Sequence, residues 1–217
     1  MPLKGIILDM DGVVVNTVPL HFKAWKKMFS EYGRRFTFKD YKLKVDGIPR
    51  INGARAILPG LSEKELKKAA SKKQKYFLGF LKKERVKVYR DAIYLIKRLK
   101  KNKIKRAIIS SSKNCLYILK KVRLNKLFDV IITGNDIKKG KPHPDIFLSA
   151  AKRLGLKTKE CVVVEDAVLG ITAAKRAKMK TVGIDRYGKP ARLKQADLIV
   201  NNLKKITVSK LERLVSR

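Results

Sequence analysis

The chain has 217 residues, 45% of them hydrophobic, which suits one sizeable core with a small second module and excludes a disordered chain. Lys and Arg total 54 against 18 Asp and Glu, a formal net charge of +36 that raises nucleic-acid binding as a reading. The excess is mostly lysine, spread over nearly every predicted helix at Lys67-Lys68, Lys82-Lys83, Lys100-Lys101, Lys120-Lys121 and Lys204-Lys205, and gathered in no tail or aromatic-and-basic strand. It therefore reads as a solvated cationic surface with no specific nucleic-acid partner and only a salt-sensitive, non-specific attraction to polyanions. No apolar run reaches the roughly 20 residues of a membrane helix. The start shows no signal-peptide pattern, and Cys115 and Cys161 are too few and too far apart for a disulfide framework or a zinc site, so a reducing cytoplasm is expected.

Taken in chain order, Gly5–Asp9 is an apolar run of strand length. From about Asn16 to Val86 no strand is predicted, but helices are, over Leu20–Tyr32, Ile51–Ile57 and Ser62–Lys83. A helix follows with Ala92, Ile93, Leu95, Ile96 and Leu99 on one stripe and Lys97, Arg98, Lys100 and Lys101 opposite. Then come strand candidates Lys105–Ser110 and Val130–Thr133, a helix marked by Ile146, Phe147, Ala150, Ala151 and Leu154, and strands Cys161–Glu165, Thr181–Ile184 and Leu198–Val200. The strands are rich in Ile and Val and do not alternate with polar residues, as expected of strands covered on both faces. The fold class is α/β: a Rossmann-like, mostly parallel sheet core over residues 1–15 and 87–217, with a small helical domain inserted at 16–86.

Ligands of such sheets bind at the carboxyl ends of the strands. Here those ends carry Asp9-Met10-Asp11-Gly12, then Ser110-Ser111-Ser112-Lys113-Asn114, then Gly140-Lys141-Pro142 in the loop after the third strand, then Glu165-Asp166. A single strand-end Asp reads best as a turn or helix-cap residue, yet four of only 18 acids fall at two strand ends. Together they describe a phosphate site. Asp9, Asp166 and the nearby Glu165 offer hard oxygen ligands for Mg2+, which offsets repulsion between carboxylates and a phosphate. Lys141 can neutralise phosphoryl oxygens, and Ser110 with the backbone N–H groups of Ser111 and Ser112 precedes a predicted helix, where anions are favoured. A carboxylate can attack phosphorus to give an acyl phosphate, and a second one two residues on, Asp11, can act as general acid and base, since alternate residues of an extended chain point the same way.

The run Asp9-Met10-Asp11-Gly12-Val13-Val14-Val15-Asn16-Thr17 resembles the first motif, DxDGxxxxT, of the haloacid dehalogenase superfamily; Ser110, Lys141 and Glu165-Asp166 resemble its second, third and fourth. The resemblance spans about residues 4–200. It implies Asp9 as nucleophile, Asp11 as acid/base, and Mg2+ held by Asp9, Asp166 and the backbone carbonyl of Asp11, with Glu165 helping directly or through water. The helical insertion resembles the family's small cap. Pro19-Leu20-His21-Phe22-Lys23-Ala24-Trp25, Gly47-Ile48-Pro49-Arg50 and the Ser111-Ser112-Lys113-Asn114 loop are similar to the β-phosphoglucomutase-like branch. That resemblance implies a sugar phosphate as substrate, gripped at its non-reacting phosphate by Arg50, Ser112, Lys113 and Asn114. Thr17, His21, Ser111 and a cap lysine matched loosely by Lys72 complete the implied substrate contacts.

Taken alone, His21 reads as a helix-surface histidine and Lys113 as one more surface lysine, whereas Arg50 suits phosphate through its planar fork. Asp46 stands where the mutases carry lysine and Gly53 where they often carry serine, while many family hydrolases read V-D-G-x-P-R as this chain does. The expectation is β-phosphoglucomutase-like chemistry, with a phosphatase of a small phosphorylated metabolite as the alternative and a non-enzymatic cationic binding protein as a third reading; a monomer is expected. Gly134…Gly140-Lys141 is one residue too long for a nucleotide P-loop and has Pro142 where Ser or Thr is needed.

Overall fold

The computed structural model describes residues 2–216. The chain divides into two compact units, one running up to Asn16 and resuming at Val88, the other Thr17–Lys87.

The first unit begins with strand β1 (Gly5–Asp9), and the short strand β2 (Val15–Asn16) closes its N-terminal part. The second unit follows with helix α1 (Val18–Ser30), the single turn α2 (Phe38–Asp40) that widens into a π-helical turn at Tyr41–Val45, then α3 (Arg50–Ile57) and α4 (Glu63–Lys83). The turn at 38–45 is invisible to periodicity because it is too short. It is set by a capping box in which the Thr37 N–H donates to Asp40 Oδ2 at 3.0 Å and the Asp40 N–H to Thr37 Oγ1 at 3.1 Å. The same device opens α4, between Ser62 and Glu65. This unit has its own core, in which Trp25, Met28 and Phe29 of α1 pack with Phe36, Tyr41, Val45, Ala54, Leu66 and Ala69.

The chain returns through β3 (Lys87–Val88) to α5 (Arg90–Lys101), β4 (Lys105–Ile109), α6 (Cys115–Lys121), β5 (Val130–Ile132), α7 (Asp145–Leu154), β6 (Cys161–Glu165), α8 (Val168–Arg176), β7 (Lys180–Ile184), β8 (Leu198–Val200) and α9 (Val208–Ser216). The six long-range strands form one parallel sheet in the order β5-β4-β1-β6-β7-β8. β1 is central, and the later strands add first on one side of it and then on the other, which makes its carboxyl end the switch point where α/β sheets bind ligands. Ile6, Ile7, Leu8, Val162, Val163 and Val164 are all fully buried, as strands covered on both faces must be. α7 lays Ile146, Phe147, Ala150, Ala151 and Leu154 onto Ile7, Ala107, Ile109 and Val163. Each large side chain buried this way contributes about 1.5–3 kcal/mol, which holds the strand ends in fixed register. Cys115 and Cys161 are both buried and unpaired. Among the described residues no helix is long and apolar enough to cross a membrane.

Candidate active site

The register sets Leu8 beside Val164 and Asp9 beside Ile109. Asp9 at the end of β1, Ser110 just past β4 and Glu165 at the end of β6 therefore leave the sheet at one edge. β1 stops at Asp9, so strand alternation is not what pairs Asp9 with Asp11. The chain turns there, with Gly12 at φ 81°, and the Asp11 N–H donates to Asp9 Oδ2 at 2.8 Å. Ser110 Oγ donates to Asp11 Oδ2 at 3.0 Å and accepts from the Ser112 N–H at 3.1 Å. Gly12 is required twice over: its φ suits glycine, and a Cβ there would lie 2.2 Å from Asp166 Oδ2. The carboxylate of Asp166 thus rests against the turn that carries Asp11.

Lys141 Nζ donates to Asp9 Oδ1 at 2.6 Å and also to Glu165 Oε1. The other oxygen of Glu165 accepts the N–H groups of Asp166 and Ala167, both at 2.8 Å. Room for this buried carboxylate comes from α8, where a Cβ on Gly170 would fall 1.7 Å from Glu165 Oε1. Arg192 donates to the Asp166 carbonyl at 3.3 Å. Glu165 therefore has both oxygens engaged by this chain, and what it does here is hold Lys141 beside Asp9 and fix the start of the loop that carries Asp166.

Burial disfavours the Lys141 ammonium, but Asp9 and Glu165 more than offset that and hold it above the usual lysine range. Burial pushes the Asp9 carboxyl well up; the charge of Lys141 opposes the shift, and the Glu165 and Asp11 carboxylates reinforce it. The two directions are compatible. Lys141, donating to two carboxylates, stays charged.

Among the described residues no group of three or more His, Cys, Asp or Glu side chains stands in a ready metal-holding arrangement. The donor set nevertheless fits Mg2+. Asp9, Asp11 and Asp166 are hard oxygen donors gathered about one turn, their charge exceeds that of Lys141, and this ion retains several waters and is held by about one or two carboxylates besides substrate oxygens.

The remaining loop residues of this unit are less gathered. Ser111 and Lys113 are exposed, and Ser112 Oγ accepts the Asn114 N–H at 3.1 Å. The helical unit has its own polar cluster. Lys73 Nζ lies 2.8 Å from His21 Nδ1; an ammonium can only donate, so Nδ1 accepts and the ring proton sits on Nε2. His21 stacks on Phe77 with centroids 4.0 Å apart, and Lys73 lies over Trp25 and Phe77 at 5.1 and 5.0 Å. Burial, then the charges of Lys73 and Arg50, push the His21 imidazole well below its usual range. Arg50 is half-buried at the first position of α3, and Thr17 is buried, its carbonyl accepting the His21 N–H at 3.0 Å.

Lys72, matched loosely to a cap lysine, points outward and pairs with Glu31 at 2.9 Å; the buried lysine is its neighbour Lys73, only 2% exposed. The reason is helical phase, since Leu66, Ala69, Ala70, Lys73, Phe77 and Leu81 form the buried stripe of α4, a signal the sequence contained. Gly53 has a packing explanation: a Cβ there would lie 2.9 Å from the Trp25 ring. Asp46 is ion-paired with Lys42 within its own turn.

With this geometry in place, comparison with known proteins supplies the class. Residues 6–184 match the haloacid dehalogenase-like hydrolases, and the chain belongs to that family. Within it the chain is a phosphotransferase or phosphatase of the β-phosphoglucomutase-like branch. It is 32% identical to β-phosphoglucomutase of Bacillus subtilis over 216 residues, covering 96% of this chain and 94% of that protein. It is 30% identical to hexitol phosphatase A of Escherichia coli over 211 residues, covering 97% and 96%. The crystal structure of β-phosphoglucomutase from Clostridium difficile superposes with a TM-score of 0.89 at 29% identity, covering all of this chain and 98% of that one.

Proposed function

We propose that the chain transfers a phosphoryl group of a sugar phosphate through an aspartyl phosphate on Asp9, in the manner of a β-phosphoglucomutase, with Mg2+ as cofactor. The observation that carries the reading is the buried contact of Lys141 with Asp9 and Glu165, with Asp11 turned back onto Asp9. A carboxylate oxygen of Asp9 attacks phosphorus while Asp11 donates its proton to the leaving oxygen. Asp11 then takes a proton from the accepting hydroxyl, which attacks the acyl phosphate and frees Asp9. Lys141 meets the phosphoryl oxygens, Glu165 keeps Lys141 in place, and Ser110 orients Asp11. Asp9, Asp166 and the Asp11 carbonyl would hold Mg2+, whose positive charge offsets repulsion between carboxylate and phosphate.

Support for a sugar phosphate comes from the names of the relatives, both phosphosugar enzymes. Support for the mutase comes from the segment His21 to Trp25 and the Ser112-Lys113-Asn114 loop. A phosphatase is the second reading, favoured by the Lys42–Asp46 pair where the mutases carry lysine and by the near-equal identity to hexitol phosphatase A. Incubation with β-glucose 1-phosphate, Mg2+ and catalytic glucose 1,6-bisphosphate separates them: glucose 6-phosphate as main product supports the mutase, while glucose plus inorganic phosphate, unchanged in Arg50→Ala, selects the phosphatase. A fully active metal-free enzyme would overturn the metal assignment.

A further inference from the structure

Arg186, just past the end of β7, lies outside every motif considered so far and makes four directed contacts. Its NH1 and NH2 grip Asp91 Oδ2 and Oδ1 at 2.7 and 3.1 Å. Its Nε donates to the Gly12 carbonyl at 3.3 Å and its NH2 to the Val13 carbonyl at 3.1 Å. The guanidinium lies over the Tyr89 ring at 4.0 Å. Arg186 and Asp91 are only 11% and 10% exposed as side chains, which separates this pair from the solvated pairs that dominate the surface of the chain. Asp91 is itself anchored, accepting the Leu203 N–H at 2.8 Å.

The carbonyls it holds belong to the turn that displays Asp11 and against which Asp166 rests. The other side of that turn is tied by the Tyr89 N–H, which donates to the Val14 carbonyl at 3.0 Å. Only arginine can serve two carbonyls and a bidentate carboxylate with one planar group; lysine has a single nitrogen to place.

We propose that Arg186 is a positioning residue for phosphoryl transfer: it fixes the peptide units of Gly12 and Val13, and through them the placement of Asp11 and Asp166, by tying the turn to Asp91 on the chain that re-enters this unit. The proposal rests on the reading of Asp9 and Asp11 given above. Its directed contacts are to Asp91 and the carbonyls of Gly12 and Val13, so its removal should act on kcat by misplacing groups and leave substrate affinity alone. A misplacement near 1 Å costs on the order of 10²-fold.

The test compares Arg186→Lys and Arg186→Ala with the unaltered chain and with Asp9→Asn. In Arg186→Lys, kcat for β-glucose 1-phosphate with Mg2+ should fall by about 10²-fold while KM stays within about threefold. Added guanidinium ion should restore part of the kcat of Arg186→Ala, with equal sodium chloride giving no recovery, and should not restore Asp9→Asn. Independently of turnover, amide exchange should rise in a peptide covering 9–15 and stay unchanged in β4. Unchanged kcat and exchange would overturn the proposal, as would a loss of kcat that only follows global destabilisation and shows no guanidinium rescue. Should Arg186→Ala fail to fold, Arg186→Lys carries both arms. If the unaltered chain turns over no phosphate ester, or Asp9→Asn keeps its turnover, the catalytic reading fails while the exchange arm still decides whether Arg186 holds the turn.

Discussion

Among the described residues two lysines are buried, one in each unit, and their surroundings differ in kind. Lys141 in the α/β unit, 8% exposed, donates to the carboxylates of Asp9 and Glu165. Lys73 in the helical unit, 2% exposed, meets a neutral imidazole and two aromatic faces. The first is neutralised by charge, the second by ring quadrupoles and one strong acceptor. Removing the first strands the Asp9 and Glu165 anions in a low-dielectric site, whereas removing the second takes a donor from the His21 imidazole and a cation from two ring faces. The anions around Lys141 belong to the proposed site; of the rings around Lys73, Trp25 belongs to the core of the helical unit.

The largest expected effect lies on the acid side of that comparison. Asp9→Asn keeps the shape and an oxygen for Lys141 but removes the proposed nucleophile and the proposed anionic ligand. Turnover of any substrate the enzyme accepts should fall at least ~10³-fold, with thermal unfolding showing an intact fold. Turnover near that of the unaltered chain would mean that Asp9 is only an ion-pair partner.

Next comes the pair of lysine-to-methionine variants, read by denaturant unfolding. Lys141→Met leaves Asp9 and Glu165 facing each other without their ammonium and should cost about 3 kcal/mol at neutral pH, as breaking a buried pair does. Mg2+ should recover part of that loss by restoring positive charge. Lys73→Met replaces a buried cation with an apolar chain of similar length over Trp25 and Phe77, so stability should hold within about 1 kcal/mol or rise. Equal losses in the two variants would erase the distinction drawn above.

The two lysines also differ in how they show in the sequence. Lys141 was legible because it stands between Gly140 and Pro142 in the loop after the third predicted strand, in a chain whose few acids collect at neighbouring strand ends. The strands themselves were legible from unalternating Ile and Val, since burial on both faces leaves no room for polar residues. Lys73 was hidden in Ser71-Lys72-Lys73-Gln74-Lys75, where composition favours no one lysine; only the phase of Leu66, Ala70, Phe77 and Leu81 singles it out. Arg186 and Asp91 were illegible for a different reason. They are 95 positions apart, each looks like an ordinary surface charge, and what pairs them is the fold. The turn at 38–45 escaped because capping, not periodicity, makes it.

A smaller effect is expected where the helical unit is most tightly packed. Gly53→Ser places a Cβ near 2.9 Å from the Trp25 ring, so Trp25 must shift or α3 must move. The cost should be about 1–3 kcal/mol, typical of overpacking, and Trp25 is the only tryptophan of the chain, so its fluorescence reports the shift. A variant with unchanged stability and emission would show that this core gives way easily and that serine, as in the mutases, is compatible with it.

The smallest effect tests the neutral side of the comparison directly. His21 is held below its usual pKa of 6.5 by burial, then by Lys73 and Arg50. The unfolded chain therefore takes up a proton near pH 6.5 that the folded chain refuses. Between the folded and unfolded values the unfolded state binds more protons, so stability rises with pH. The contribution is fully present above about pH 6.5 and is lost progressively as pH falls toward the folded value, with a slope of at most about 1.4 kcal/mol per pH unit. With only two histidines in the chain, few other groups titrate between pH 5.5 and 7.5. His21→Phe keeps the stacking on Phe77 and removes the titration, so its unfolding midpoint should change less across that range than that of the unaltered chain. A midpoint that rises on acidification and loses that rise in His21→Phe would mean the imidazole gains a proton on folding, and Lys73 would then have to be uncharged.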